Sequence, residues 1–286
     1  MKKLSLFVLS ILILVLAASF LTGCTDEEST GSQLKVVAST SLITQIVERI
    51  GGDKVSVVNI IPPGQCPGHF DVKPGDIQQL VDADLFLLHG WQGEMFSEDL
   101  IATANNDELL VIKVNAVVGE NENWLSPEVQ SLAVDNIMTA LCQADSANAA
   151  AYQSAAADYK AIIDTKGAEV LARLAAIDPG NISVLCSDQQ MGFLDWAGFN
   201  IVGVFGRPDT LTPQVVKDLV DLGREQNVAI VIDNMQSGQD AGAGVAEELD
   251  CARVILSNFP GGYVNTSTWE ETVDYNVDLL IAAVTE

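Results

Sequence analysis

The chain alternates short Val-, Ile- and Leu-rich runs with stretches at helical spacing, and it does so twice. The first set of runs lies at residues 35–38, 55–60, 84–88 and 109–114, with helical patterns at 41–50 and 74–81. The second lies at 182–186, 201–204, 228–232 and 253–256, with helical patterns at 190–197, 213–225, 243–249 and 268–284. Strands that read as continuous apolar runs are buried on both faces, which requires parallel sheets covered by helices. The pattern predicts an α/β fold of two lobes, each a mostly parallel four-stranded sheet flanked by helices.

A different texture separates the sets. Ser126-Pro127 predicts a helix start, with Ser as cap and Pro in the first turn. A second helix is predicted from Asp145 or Ser146 to Ile177, where Pro179-Gly180 stops it. Tyr152, Tyr159, Ile163, Val170, Leu174 and Ile177 fall on one face of that helix. A helix of about 32 residues is roughly 48 Å long. It reads as one long backbone helix joining the lobes. The expected boundaries are 34–143 for the N-terminal lobe, 144–178 for the helix and 179–286 for the C-terminal lobe.

The N-terminus reads as an address. Lys2 and Lys3 precede an apolar run at 4–20, then Leu21-Thr22-Gly23-Cys24 and a polar stretch. That is the layout of an exported precursor, and the four residues ending at Cys24 resemble a bacterial lipobox. Residues 1–23 are expected to be a lipoprotein signal peptide, Cys24 the lipidated residue and 24–33 a tether. An uncleaved signal anchor is the alternative. Either way the body lies outside the cytoplasm, anchored on the outer face of the cell membrane.

Fourteen Lys and Arg stand against 39 Asp and Glu, a formal net charge of −25. Nucleic-acid contacts need clustered Lys and Arg, so no nucleic-acid partner is expected. With two His, a metal site of three or four ligands must recruit Cys, carboxylate or neutral oxygen. Catalysis finds no support: Gly242-Ala243-Gly244 lacks the third Gly of a dinucleotide loop and does not directly follow a strand. No Gly-x-Ser-x-Gly elbow is present.

Residues 60–77 carry the most chemistry. Four Pro and three Gly stiffen a loop between a strand and a helix, and the loop holds Cys66, His69 and Asp71. Thiolate and imidazole on one loop suit zinc, copper or another borderline-to-soft ion. His89 ends a strand, where ligands often bind in α/β sheets, though a hydrogen-bonded structural His fits the same position. Asp233 ends another strand. Arg207 follows a third and is expected to pair with an acid, an anionic ligand being the alternative. Trp91 and Trp124 are read either as a cleft floor or as core. Cys142 and Cys251 are read as core residues.

The segment Pro62-Pro63-Gly64-Gln65-Cys66-Pro67-Gly68-His69-Phe70-Asp71-Val72-Lys73-Pro74-Gly75-Asp76-Ile77 resembles the first metal-binding loop of the zinc/manganese (cluster A-I, TroA-like) solute-binding lipoproteins of ABC transporters. Ala83-Asp84-Leu85-Phe86, Trp124-Leu125-Ser126-Pro127, the stretch from Ala144 to Tyr152 and Ile230-Val231-Ile232-Asp233-Asn234 extend the resemblance over nearly all of 34–286. It implies a monomeric, membrane-anchored component of an ABC importer. The protein would carry a transition-metal ion to a permease and its ATPase, with zinc favoured and copper or manganese open.

The ligands are where this chain departs. By the same resemblance the four family ligand positions fall on Gly68, Glu122, Ser187 and Ser257, and Asp188 and Asn258 stand beside the last two. Two cysteines, Cys66 and Cys186, flank these positions. Three readings stay open. An altered metal set would be Cys66, His69, Glu122, Cys186 and Asp188. A metal complex or another small solute would instead meet polar residues such as Ser187, Gln189, Ser257 and Asn258. A Cys66–Cys186 disulfide would lock the lobes. A surface adhesion protein without transport is the alternative from another class.

Overall fold

The computed structural model describes residues 32–285. The expected signal peptide and the expected lipidation site at Cys24 fall outside the described residues, as does most of the expected tether. Residues 33–286 form one compact unit.

Four strands, β1 (Leu34–Ala38), β2 (Val55–Asn59), β3 (Leu85–Leu88) and β4 (Leu110–Lys113), form the first sheet in the order β2-β1-β3-β4. All its pairings are parallel. The second sheet repeats the plan with β5 (Ser183–Ser187), β6 (Asn200–Phe205), β7 (Ile230–Asn234) and β8 (Ala252–Leu256), in the order β6-β5-β7-β8. It too is parallel throughout, with one register shift between Val184 and Leu185. The inner strands β3 and β7 are buried at every residue, while the edge strands β2 and β6 are only partly so. Burial on both faces is why the inner strands read as unbroken apolar runs.

Helices α1 (Ser41–Gly51), α2 (Pro74–Val81) and α3 (Phe96–Ala104) cover the first sheet, and α6 (Met191–Trp196), α7 (Pro213–Glu225) and α8 (Ala243–Leu249) the second. Helix α3 was not expected. Its stripe of Phe96, Leu100, Ile101 and Ala104 is real, packing on the outer core of the first lobe, but it spans little more than two turns.

Between the lobes run α4 (Pro127–Ala144) and α5 (Ala149–Leu174), and α9 (Trp269–Thr285) closes the chain. One continuous helix over 146–177 was expected. The observed element is a 26-residue α-helix with a tight 3-10 turn at each end, Ser146–Asn148 and Ala175–Ile177. Asp178 ends it in the left-handed region at φ 51°. The buried face of α5 holds Tyr152, Tyr159, Ile163, Val170 and Leu174. Gly167 sits in the same stripe because an added Cβ would stand 2.8 Å from Pro127 Cγ. Ser126 occupies the cap position of α4 but makes no capping hydrogen bond. Its hydroxyl instead donates to Gly192 O of the opposite lobe at 3.1 Å.

One apolar core serves both lobes. It joins Val36 and Leu85 of the first sheet, the α5 stripe, and Val184, Ile232 and Leu256 of the second. Polar links cross the same seam. Tyr159 Oη donates to Gln45 Oε1 at 2.8 Å and accepts from Gln130 Nε2 at 3.2 Å. The Arg49 guanidinium lies over the Tyr159 ring and pairs with Glu270 at 2.6 Å. Among the described residues no helix is long and apolar enough to cross a membrane.

A shared core predicts one cooperative unfolding transition, coincident by far-UV circular dichroism and tryptophan fluorescence. Separate transitions for the two lobes would contradict it. Replacing Tyr159 by Phe leaves the buried Gln45 oxygen without its donor, so stability to urea is expected to fall by about 1–3 kcal/mol.

Candidate ligand-binding cleft

In parallel α/β sheets, ligands gather at the carboxyl ends of the strands beside the point where strand order reverses. Both sheets reverse between their two inner strands, β1/β3 and β5/β7. The loops leaving those ends face one another and enclose a cavity of about 650 Å³.

Its first-lobe wall begins with the Pro-rich loop. A short turn over Pro67–His69 is closed by His69 N–H donating to Cys66 O at 3.0 Å. Cys66 and Gly68 line the cavity. Trp91 follows, on a loop held by Glu94. The Glu94 carboxylate accepts from Ser39 Oγ at 2.5 Å, His89 N–H at 3.1 Å, Gly90 N–H at 2.6 Å and Trp91 N–H at 3.3 Å. Burial raises the Glu94 pKa, and those donors oppose the rise. Glu122 and Trp124 complete this wall.

The second-lobe wall comprises Asp188, Gln189, Arg207, Asn234, Gln236 and Asn258. Side-chain amides stitch the walls together at one edge. Asn123 Nδ2 of the first wall donates to Gln189 O at 2.9 Å and to Asn258 Oδ1 at 3.3 Å. Gln236 Nε2 donates to Pro63 O at 2.8 Å. Phe259 and Trp91, from opposite lobes, stack with ring centres 6.4 Å apart.

Of the residues expected in a site, Cys66, Glu122, Asp188, Gln189 and Asn258 line the cavity. The others do not. His69 is exposed to solvent outside it. Cys186 is fully buried in the shared core, because alternation along β5 puts it on the same face as Val184. Burial, with the nearby Asp188 charge, pushes its thiol up to about 12, far from the thiolate a metal would need. Ser187 and Ser257 are buried, and Ser257 Oγ donates to Phe259 O at 2.9 Å. Asp233 is also buried, accepting from Gly242 N–H at 2.7 Å and pairing with Arg253 at 2.7 Å. Cys66, Cys142, Cys186 and Cys251 are free thiols, so no Cys66–Cys186 bridge forms. Among the described residues, no group of three or more His, Cys, Asp or Glu side chains is placed to hold a metal ion.

His89 lies beneath the cleft rather than in it. It is fully buried and shares a 2.7 Å hydrogen bond between Nε2 and Thr40 Oγ1. Its ring stacks on Trp91 at 3.6 Å and meets Trp124 edge-on at 4.4 Å. Burial lowers its pKa well below 6.5, so the folded protein keeps it neutral.

Arg207 was expected to pair with an acid. The arginines forming ion pairs among the described residues are Arg49, Arg173, Arg224 and Arg253, not Arg207. Its guanidinium lies over Gly68, where an added Cβ would stand 3.4 Å from Nη1 and 3.5 Å from Nη2. The only trace of this in the sequence was that Arg207 lies two residues past a strand end.

Two parallel sheets that share a core and enclose one cleft between their strand ends define a two-lobed binding protein. The chain belongs to the family described as zinc-uptake complex component A, periplasmic (ZnuA), which matches residues 36–283. It is similar to the manganese ABC transporter substrate-binding lipoprotein PsaA of Streptococcus anginosus, 26% identical over 254 residues and 80% of each chain. It is also similar to the manganese-binding lipoprotein MntA of Bacillus subtilis, 29% identical over 238 residues, 76% of this chain and 77% of that one. Among solved structures, the fold matches the periplasmic zinc-binding protein TroA of Treponema pallidum with a TM-score of 0.75. That match has 17% identity and covers 89% of this chain and 100% of that one. It also matches the substrate-binding protein FpvC of Pseudomonas aeruginosa in complex with Mn2+, with TM-score 0.75 and 23% identity, covering 88% and 98% of the two chains.

The His89 environment fixes a pH dependence. An unfolded His takes up a proton near pH 6.5, whereas the folded one stays neutral to a lower pH. Stability is therefore full above pH 6.5 and is lost as pH falls, by about 1.4 kcal/mol per pH unit for this group. Urea unfolding between pH 7 and pH 5 is expected to show that slope, reduced by about that amount in His89→Gln. Equal slopes would place the burden on other groups.

Proposed function

We propose that this protein is the extracytoplasmic solute-binding component of an ABC importer. It captures a transition-metal cargo in the inter-lobe cleft and passes it to a membrane permease driven by its ATPase. The carrying observation is the cleft itself, framed by the strand ends of both sheets in a chain of the ZnuA family. Relatives named for manganese and zinc binding support the class of cargo. Zinc is the favoured metal, with manganese and copper as alternatives.

Residues 1–23 act as a signal peptide, Cys24 carries lipid and 24–33 form the tether. Anchoring holds the monomeric body near the permease and raises its effective concentration there. The protein carries its cargo without transforming it. Cargo binding stabilises the form the permease recognises, by as much as the cargo's affinity differs between forms. Cys66, Glu122 and Asp188, all on the cavity wall, are the protein donors offered to the metal, one on the first loop, one before α4 and one after β5.

The test is elemental mass spectrometry on the full chain, purified in detergent with thiols reduced. About one transition-metal atom per chain is expected. Absence of metal, together with no uptake of zinc, manganese or copper in any form, would overturn the reading. Cys66→Ser is expected to weaken metal retention at least tenfold with little change in stability. Cys186→Ser should do the reverse, leaving retention intact and costing about 1–3 kcal/mol through a buried hydroxyl.

A further inference from the structure

The cleft offers a bare cation little, and offers a good deal to something larger that carries acceptors. A bare ion wants three or four donors converging at about 2 Å, and the described residues hold no such group. The cavity, at about 650 Å³, is in the range that takes small organic molecules.

The polar groups point the same way. The Arg207 guanidinium faces the cleft with no carboxylate paired to it among the described residues. It stands over Gly68, the position that aligns with the family's first ligand, so a fixed positive charge lies where a metal donor is expected. Two further N–H groups of cavity-lining residues, Trp124 Nε1 and Asn234 Nδ2, are buried with no hydrogen-bond partner. Indole N–H is donor-only, and an amide NH2 is likewise a donor. Neither ligates a cation as it stands, and each left unmatched costs free energy. Both are sealed beneath the cavity surface, so Arg207 remains the charged donor that an oxygen on the cargo can meet.

The same cavity also carries Glu120, Glu122 and Asp188, all exposed at its rim, together with the Cys66 thiol. These suit a positive centre. A solute meeting both sets is mixed in charge, with a metal toward the carboxylates and thiol and anionic oxygens toward Arg207. The aromatic side chains of Trp91 and Phe259 on the cavity wall suit the organic part.

Resting on the metal-import reading above, we infer that the cargo is not a free ion but a metal chelate, a transition metal held by a small carboxylate-bearing organic ligand. Arg207 acts as the specificity residue for the chelator's carboxylate. Metal specificity then belongs largely to the chelator, and the protein's own donors only complete its shell.

Tryptophan fluorescence titration of the full chain in detergent tests this, since Trp91 and Trp124 line the cavity. The probes are zinc alone, citrate alone, and zinc with citrate, histidine or nitrilotriacetate. At least one zinc–carboxylate complex is expected to bind tenfold or more tighter than zinc alone. Arg207→Gln should lose at least tenfold for that complex with no change for zinc alone, and Arg207→Lys should recover part of the loss. Zinc binding as tightly alone as in every complex, indifferent to Arg207, would overturn the inference and leave metal import standing. Citrate binding equally with and without zinc would overturn both. Failure of every complex, extended to manganese and copper, would overturn the inference even if metal co-purifies with the protein.

Discussion

The buried stripe of α5 is the constraint on which the rest depends. Tyr152, Tyr159, Ile163, Val170 and Leu174 present one apolar face to both lobes at once, and that face closes a core neither sheet closes alone. Small residues matter as much as large ones, since Gly167 lets the start of α4 lie against the helix. Because both sheets pack on this common core, the distance between their strand ends is set by helix packing rather than by a hinge. The cleft inherits its dimensions from that arrangement.

The binding surface depends on a second layer of contacts. Glu94 gathers four donors and so fixes the loop that carries Trp91. Neutral His89 supports the same ring from below. On the opposite lobe, Gln236 takes the backbone N–H of Asn258 on its amide oxygen and reaches Pro63 with its amide nitrogen. The residues that shape the cleft are thus mostly not the ones that would touch cargo.

Much of this was legible in the sequence because the signals are periodic. Parallel strands with covered faces, the doubled α/β plan and the α5 stripe each repeat often enough to be read from residue spacing. The site was less legible because its residues are decided singly. Cys186 was drawn into a ligand set by its place beside an aligned position, although strand alternation with Val184 turns it into the core. Arg207 was assigned an acid partner on general grounds, and only three-dimensional placement shows its guanidinium over Gly68 instead. Ser126 has the chemistry of a helix cap, yet its hydroxyl is spent on Gly192 of the other lobe. Helix α3 carries too few apolar residues for its period to stand out.

The amide contacts that cross the cleft edge have a consequence for timing. Asn123 to Gln189, Asn123 to Asn258 and Gln236 to Pro63 are neutral hydrogen bonds at a partly wetted seam. Each is worth only about 0.5–1.5 kcal/mol net, because water substitutes readily. They behave as a clasp rather than a lock, able to unfasten one at a time while the shared core stays shut. Entry and exit of a solute would then be governed by fraying of a few loop residues, on the nanosecond-to-microsecond scale of loop motion. Retention would depend on the solute's own contacts, and release would require a partner that draws those contacts away.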